Sequence, residues 1–125
     1  MSETPAAIPL RFFQALQQKD YILVWNSLSQ YSQNMIVGIL SQSWKEQTAD
    51  EIRLSFEKGQ SVARTYWDAF RNSIRLEEWL NQSYRSFGVS GNEVIVKATP
   101  SDLTMMVYRE GTNWKFGYLE TFLEK

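Results

Sequence analysis

The period of the hydrophobic pattern changes near Asn81, and that change constrains the fold more than any other feature of the chain. Before it, apolar residues recur at three- and four-residue spacing, the repeat of a helix face. After it they alternate, with turn residues between the runs, as strands do. Ile8, Phe12, Leu16 and Leu23 mark the first helical stripe, widened by Phe13 and Val24. Thr4 or Ser2 is placed to cap it, and Pro5 and Pro9 suit a helix start. Lys19-Asp20 interrupts the stripe, and Asp20 can cap a short second helix through Tyr21, Val24, Trp25 and Leu28. Ser29 or Ser32 opens a third, holding Met35, Ile36, Ile39, Leu40 and Trp44. Gly38 weakens that helix by about 1 kcal/mol relative to Ala. Thr48 and Glu51 form a capping box for a helix over 52–58, and Gly59 ends it. Ser61 is the expected cap of the next helix, with Val62, Tyr66 and Phe70 on one side and Trp67 adjoining. Arg64 and Asp68 are four apart there, the spacing of a weak surface pair. Residues 73–83 fit either a helix through Leu76, Trp79 and Leu80 or the beginning of a strand.

Strands are predicted over 84–89, 93–99, 103–109 and 114–122. Ser90-Gly91-Asn92, Pro100-Ser101-Asp102 and Glu110-Gly111-Thr112-Asn113 separate them. Turns this short make successive strands antiparallel neighbours. On the last strand, alternation puts Trp114, Phe116, Tyr118 and Phe122 on one face, with Glu120 among them. Helices followed by a run of strands predict an α+β fold, with N-terminal helices packed on a curved antiparallel four-stranded C-terminal meander. No repeat or linker composition divides the chain, so residues 1–125 are expected to form one domain.

Composition narrows the chemistry. The chain has no Cys and no His. That removes thiolate catalysis, disulfides, the commonest metal ligands and the commonest general base near neutral pH. Its six glycines are dispersed, with no phosphate-binding loop, and its carboxylates show no metal spacing. Neither a cofactor nor a metal is expected. Thirteen basic and fourteen acidic residues give a net charge of −1, which argues against nucleic acid and anionic membrane as partners. Arg85, Lys97, Arg109 and Lys115 fall among aromatic residues on the strands, but near-neutral charge weakens a single-stranded nucleic-acid reading. Arg53, Lys58, Arg64, Arg71 and Arg75 are interleaved with Glu51, Glu57 and Asp68, the pattern of a solvated helix face. The uncharged stretch 27–44 carries too many Ser, Asn and Gln to span a membrane. The first residues lack the pattern of a secretory signal, and a cytoplasmic location is expected.

Two stretches resemble one family. Ile8-Pro9-Leu10-Arg11-Phe12-Phe13-Gln14-Ala15-Leu16-Gln17-Gln18-Lys19-Asp20-Tyr21 looks like the opening helix of the nuclear-transport-factor-2-like superfamily, the cystatin-like α+β cones. Its aromatic pair and Ala-Leu, followed by a polar residue and Asp, carry the likeness. Val107-Tyr108-Arg109-Glu110-Gly111-Thr112-Asn113-Trp114-Lys115-Phe116 looks like the family's last hairpin, where an acidic-Gly turn leads into Trp-Lys. The stretch 31–83 looks longer and more helical than the family's usual second and third helices, so the resemblance does not fix its topology. What it implies is a cone-shaped cavity between the sheet's concave face and the first helix. Family members use that cavity as isomerases, dehydratases or epoxide hydrolases, or only to bind ligands or partners, and many pair through the sheet's outer face. No catalytic motif of those enzymes matches positions here.

The residues offer two candidate acids. Glu120 falls on the aromatic face of the last predicted strand, where an apolar setting would raise its pKa into the range of an acid–base catalyst. The opposing reading leaves it exposed at the strand end, or paired with Arg109 or Lys115. Asp68, between Trp67 and Ala69, is the second candidate. Asp20 and Asp102 are explained by capping and by a turn. Tyr66, Trp67, Trp79, Tyr108, Trp114 and Tyr118 are candidates to line a pocket for a flat apolar ligand, against the reading that they fill the core. The expected function is therefore a non-catalytic binding or interaction domain. Its expected partner is a small apolar ligand in the cone or a protein, with homodimerisation through the sheet. The alternative is a cofactor-free lyase or isomerase using Glu120 or Asp68, with a Tyr as hydrogen-bond donor.

Overall fold

A computed structural model describes residues 4–44 and 46–122, and of Glu120 the backbone alone. Six helices come first: α1 (Ala7–Gln17), α2 (Tyr21–Asn26), α3 (Gln30–Ser43), α4 (Ala49–Lys58), α5 (Ser61–Ser73) and α6 (Leu76–Leu80). Then come β1 (Ser83–Ser90), β2 (Glu93–Thr99), β3 (Thr104–Glu110), β4 (Asn113–Gly117) and a last helix, α7 (Tyr118–Phe122). The strands form one antiparallel sheet in the order β1-β2-β3-β4, so the chain is α+β with a C-terminal meander.

Local chemistry accounts for most helix ends. Asp20 accepts from the Leu23 amide and caps α2, and Ser29 accepts from the Ser32 amide and caps α3. Thr48 and Glu51 complete a reciprocal capping box on α4. Gly59 ends α4 at φ 62. Two predicted caps are corrected. α1 begins after Ala6 without a side-chain cap from Thr4, and Ser2 lies outside the described residues. Ser61 is the first residue of α5, not its cap; the Ser55 hydroxyl, on α4, instead accepts from the Val62 amide at 3.2 Å. The stretch 73–83 resolves into α6 followed by the start of β1.

The fourth strand is shorter than predicted. It stops at Gly117, and the chain turns into α7. The turn is fixed from elsewhere in the fold. The Ser32 hydroxyl accepts from the Leu119 amide at 3.1 Å, and the Thr121 hydroxyl accepts from the Met106 amide at 3.0 Å. Tyr118, Leu119 and Thr121 are all buried, which a strand's alternation would not allow. Glu120 therefore belongs to a helix and not to the aromatic face of a strand.

α1 lies across the concave face of the sheet and also packs on α2, α5 and α6. Val94, Val96, Ala98, Met105, Val107 and Phe116 face it from the sheet. The β4 edge is covered, because the Phe116 carbonyl accepts from the Ser29 amide and the Phe116 amide donates to the Ser27 carbonyl. β1 forms the other edge and carries a bulge at Phe87.

Candidate functional site

The space between α1 and the sheet is occupied by the protein's own rings. Phe12, Phe13, Phe116, Trp67 and Tyr118 are all at most 2% exposed. Their centroids lie at aromatic contact distance: Phe12 to Phe116 4.8 Å, Phe12 to Tyr118 5.8 Å, and Trp67 to Tyr118 5.3 Å. Phe70 and Phe122 close the cluster against Tyr118 at 5.0 and 6.0 Å.

The six aromatic candidates do not converge on one cavity. Tyr66, Trp67 and Tyr118 meet in the core, with the Tyr66 and Tyr118 hydroxyls 3.0 Å apart. Burial pushes both phenols above their ordinary value. Trp79 lies away from them, stacked on Phe13 at 5.4 Å, and its carbonyl accepts from the Tyr84 hydroxyl at 2.6 Å. Trp114 is half-buried on β4 opposite Arg109. Tyr108 is on the sheet's other face, its ring so close over Gly117 that a Cβ there would stand 2.7 Å from Tyr108 Cε2. With Tyr31 it flanks an open surface cleft of about 480 Å³, lined also by Ser29, Asn92, Glu93, Arg109 and Glu110. Glu110 is committed there to α3, accepting from the Gln30 amide at 2.9 Å.

Of the acids, Glu120 is described by its backbone alone, on α7. Asp102 holds the β2–β3 turn at φ 65 and pairs with Lys97 at 3.1 Å. Asp68 has a more specific setting. It turns to α2 and not to Arg64, and its Oδ1 accepts from the Tyr21 hydroxyl. Tyr21 is 5% exposed. Burial, and then the Asp68 carboxylate, push its phenol up to about 12, with Arg71 opposing the shift. Tyr21 is therefore a fixed donor across the neutral range.

This pair borders a groove of about 320 Å³ lined by Lys19, Asp20, Tyr21, Ile22, Gly59, Arg64 and Asp68. Two helix C-termini frame it. α1 ends there in a reverse turn in which the Asp20 amide donates to the Ala15 carbonyl and the Lys19 amide to the Leu16 carbonyl. α4 ends there in the same motif, with Gln60 donating to Ser55 and Gly59 to Phe56. Among the described residues, no ion pair or side-chain hydrogen bond engages Lys19 or Arg64. The groove thus offers two cationic heads, the Asp68 carboxylate, and the apolar surfaces of Ile22 and the Tyr21 ring. Buried close by, Trp67 Nε1 and Arg71 Nε have no acceptor among the described residues.

Sequence reasoning singled out Asp68 and missed its partner. Tyr21 and Asp68 are 47 positions apart, and no local spacing joins them. The available signal was indirect: Asp20 and Gly59, read as cap and stop, mark the two helix ends that meet at the groove. No group of His, Cys, Asp or Glu among the described residues is placed to hold a metal ion. No described helix is long and apolar enough to cross a membrane. Compared with protein-family models, curated proteins and solved structures, the chain matches none.

Proposed function

We propose that this chain is a non-catalytic binding domain of the α+β cone type, and that it takes a small polar ligand of mixed charge in the groove at Tyr21 and Asp68. The observation that carries this reading is the filled cone: Phe12, Phe13, Phe116, Trp67 and Tyr118 occupy the space an internal ligand would need. Outside it, Lys19 and Arg64 suit a carboxylate or phosphate, and the free oxygen of Asp68 suits an ammonium or hydroxyl. The carbonyl ends of α1 and α4 add partial negative charge at the groove, at Lys19 and Gly59. The NTF2-like resemblance supports the fold half of the proposal, through α1 lying across the concave face of a terminal meander.

One observation favours the second reading, a cofactor-free lyase or isomerase. The groove does place a half-buried carboxylate beside a Tyr hydroxyl, which is the pairing of base and hydrogen-bond donor that such chemistry uses.

Backbone amide NMR, with the protein titrated against free amino acids and ω-amino carboxylates, tests the proposal. Shifts at Lys19, Asp20, Ile22, Gly59, Arg64 and Asp68 are expected, and their loss in Arg64→Ala and Asp68→Asn. Shifts centred on Trp67, Phe116 and Tyr118 would instead place a ligand in the cone, and no shifts with any of these probes would reject the groove. Turnover of a bound probe, abolished by Asp68→Asn, would select the enzyme reading.

A further inference from the structure

The cleft beside Tyr108 is separate from the Asp68 groove. At about 480 Å³ it is the size of a small-molecule site. It lies where the first turn of α3 meets the end of the sheet that carries Asn92 and Glu110. α3 contributes Tyr31, which is 45% exposed. The sheet contributes Tyr108, Glu93 and Glu110. Glu93 and Tyr108 are register partners, and Glu110 is two residues beyond Tyr108 on β3, so the pleat puts all three on one face. Their neighbours Val94 and Val107 are buried on the core side, which makes this the outer face. Arg109 also borders the cleft, but the same pleat directs it to the opposite face, where its register partner is Trp114.

The cations closest in the fold are engaged elsewhere. Lys115, the other register partner of Tyr108, donates to the Asn26 carbonyl at 2.5 Å. Lys97, four residues along β2 from Glu93, pairs with Asp102 at 3.1 Å, and Arg53 donates to Asn34 of α3 at 2.7 Å. The N-terminus of α3 would by itself draw an anion, but its amides are answered within the chain: the Ser29 hydroxyl accepts from the Ser32 amide, and Glu110 Oε2 from the Gln30 amide. Glu93 is different. Among the described residues, no ion pair or side-chain hydrogen bond engages it. The cleft thus presents a carboxylate without a counter-ion beside two phenol rings. Among the described residues no third acid joins Glu93 and Glu110 to hold a metal ion.

We propose that this cleft binds a small organic cation, an alkylammonium or a guanidinium, with its head against the Tyr31 and Tyr108 rings and its charge answered by Glu93. An aromatic ring attracts a cation through the negative charge of its face, and a neighbouring carboxylate adds a direct charge pair. An inorganic ion would use the carboxylate alone, whereas an organic head also removes apolar surface from water against the rings. Glu110, tied by one oxygen to the Gln30 amide, is a positioning residue: it holds the turn that carries Tyr31 beside the sheet.

Backbone amide NMR of the full chain, titrated with choline and with methylguanidinium, tests this, with potassium chloride and acetate as controls. Saturable shifts are expected at Tyr31, Asn92, Glu93, Tyr108 and Glu110, and not at Lys19, Gly59 or Arg64. Glu93→Gln and Tyr31→Leu should each raise Kd at least about threefold, and Arg109→Gln should not weaken binding. Absence of cation shifts, equal shifts from potassium chloride, or binding that persists in the Glu93→Gln/Tyr31→Leu double variant overturns the proposal. So do acetate shifts at the same amides that are lost in Arg109→Gln, which would make the cleft an anion site. A peptide with one arginine among Gly and Ser that shifts these amides when neither free cation does would also overturn it, by placing a protein segment there.

Discussion

Lys19 and Gly59 occupy equivalent places at the ends of α1 and α4, and both have left-handed backbones, at φ 58 and φ 62. A non-glycine residue there brings its Cβ against the following carbonyl, at a cost of about 1–2 kcal/mol. Part of that is offset because glycine also loses more freedom on folding. Lys19→Gly is therefore expected to stabilise the protein by about 0.5–1 kcal/mol. Gly59→Ala should act in the opposite direction and more strongly, since its Cβ would also stand 3.0 Å from Ile22 Cγ1. A loss of about 1–3 kcal/mol follows. Chemical denaturation midpoints of the two variants check both signs. Equal effects of the two would show that Ile22 does not hold the corner. The same residues line the groove, so Lys19→Gly also separates two roles of one position: a gain in stability should come with weaker binding of an anionic probe.

At the scale of elements, ends fixed by neighbours a few residues away were legible in the sequence, and ends fixed by distant groups were not. The α4 capping box is local, three residues from Thr48 to Glu51, and it reads directly from the residue types. Its energetics are testable. Glu51 accepts from the Thr48 amide, and the Thr48 amide and hydroxyl hold its carboxyl below the ordinary value of 4.5. A carboxyl lowered by folding contributes stability that is fully present above pH 4.5 and is lost as pH falls through its folded value. Thr48→Ala should cost about 1 kcal/mol at neutral pH. The helical circular-dichroism signal should respond to acid below pH 4.5 in the wild type and less in Glu51→Gln; equal acid responses would reject the reciprocal bond. α7 is the contrasting case. The alternation of Trp114, Phe116 and Tyr118 continues past Gly117, so sequence alone extends the strand. The turn into a helix depends on Ser32, 87 residues before Leu119, and on the Met106 amide. The same limit applies to the groove. Asp68 could be singled out from its own neighbours, but Tyr21 becomes its partner only once α2 and α5 pack.

For the molecule as a whole, the aromatic surplus serves to hold the helices on the sheet. α1 contributes Phe12 and Phe13, α5 contributes Trp67 and Phe70, β4 contributes Phe116, and α7 contributes Tyr118 and Phe122. Each ring touches rings from at least one other element. Four tyrosines tie their hydroxyls into this body, and each is raised above 10.0 chiefly by burial: Tyr21 to about 12, and Tyr66, Tyr84 and Tyr118 also upward. A phenol raised by folding contributes stability that is complete below pH 10.0 and disappears as pH rises through the folded value. With four such groups from α2, α5, β1 and α7, the fold should resist titration at pH 10 and then lose stability steeply from pH 10 to 12. Tyrosinate absorbance should then rise cooperatively, together with loss of the near-ultraviolet circular dichroism of the packed Trp residues. Tyr21→Phe should keep that transition but lessen its steepness, because one of the four linked protons is gone. Gradual, independent ionisation with the tertiary signal intact would mean that these hydroxyls are open to water, and that the space between α1 and the sheet is not the closed aromatic body from which ligand binding at the outer groove was proposed.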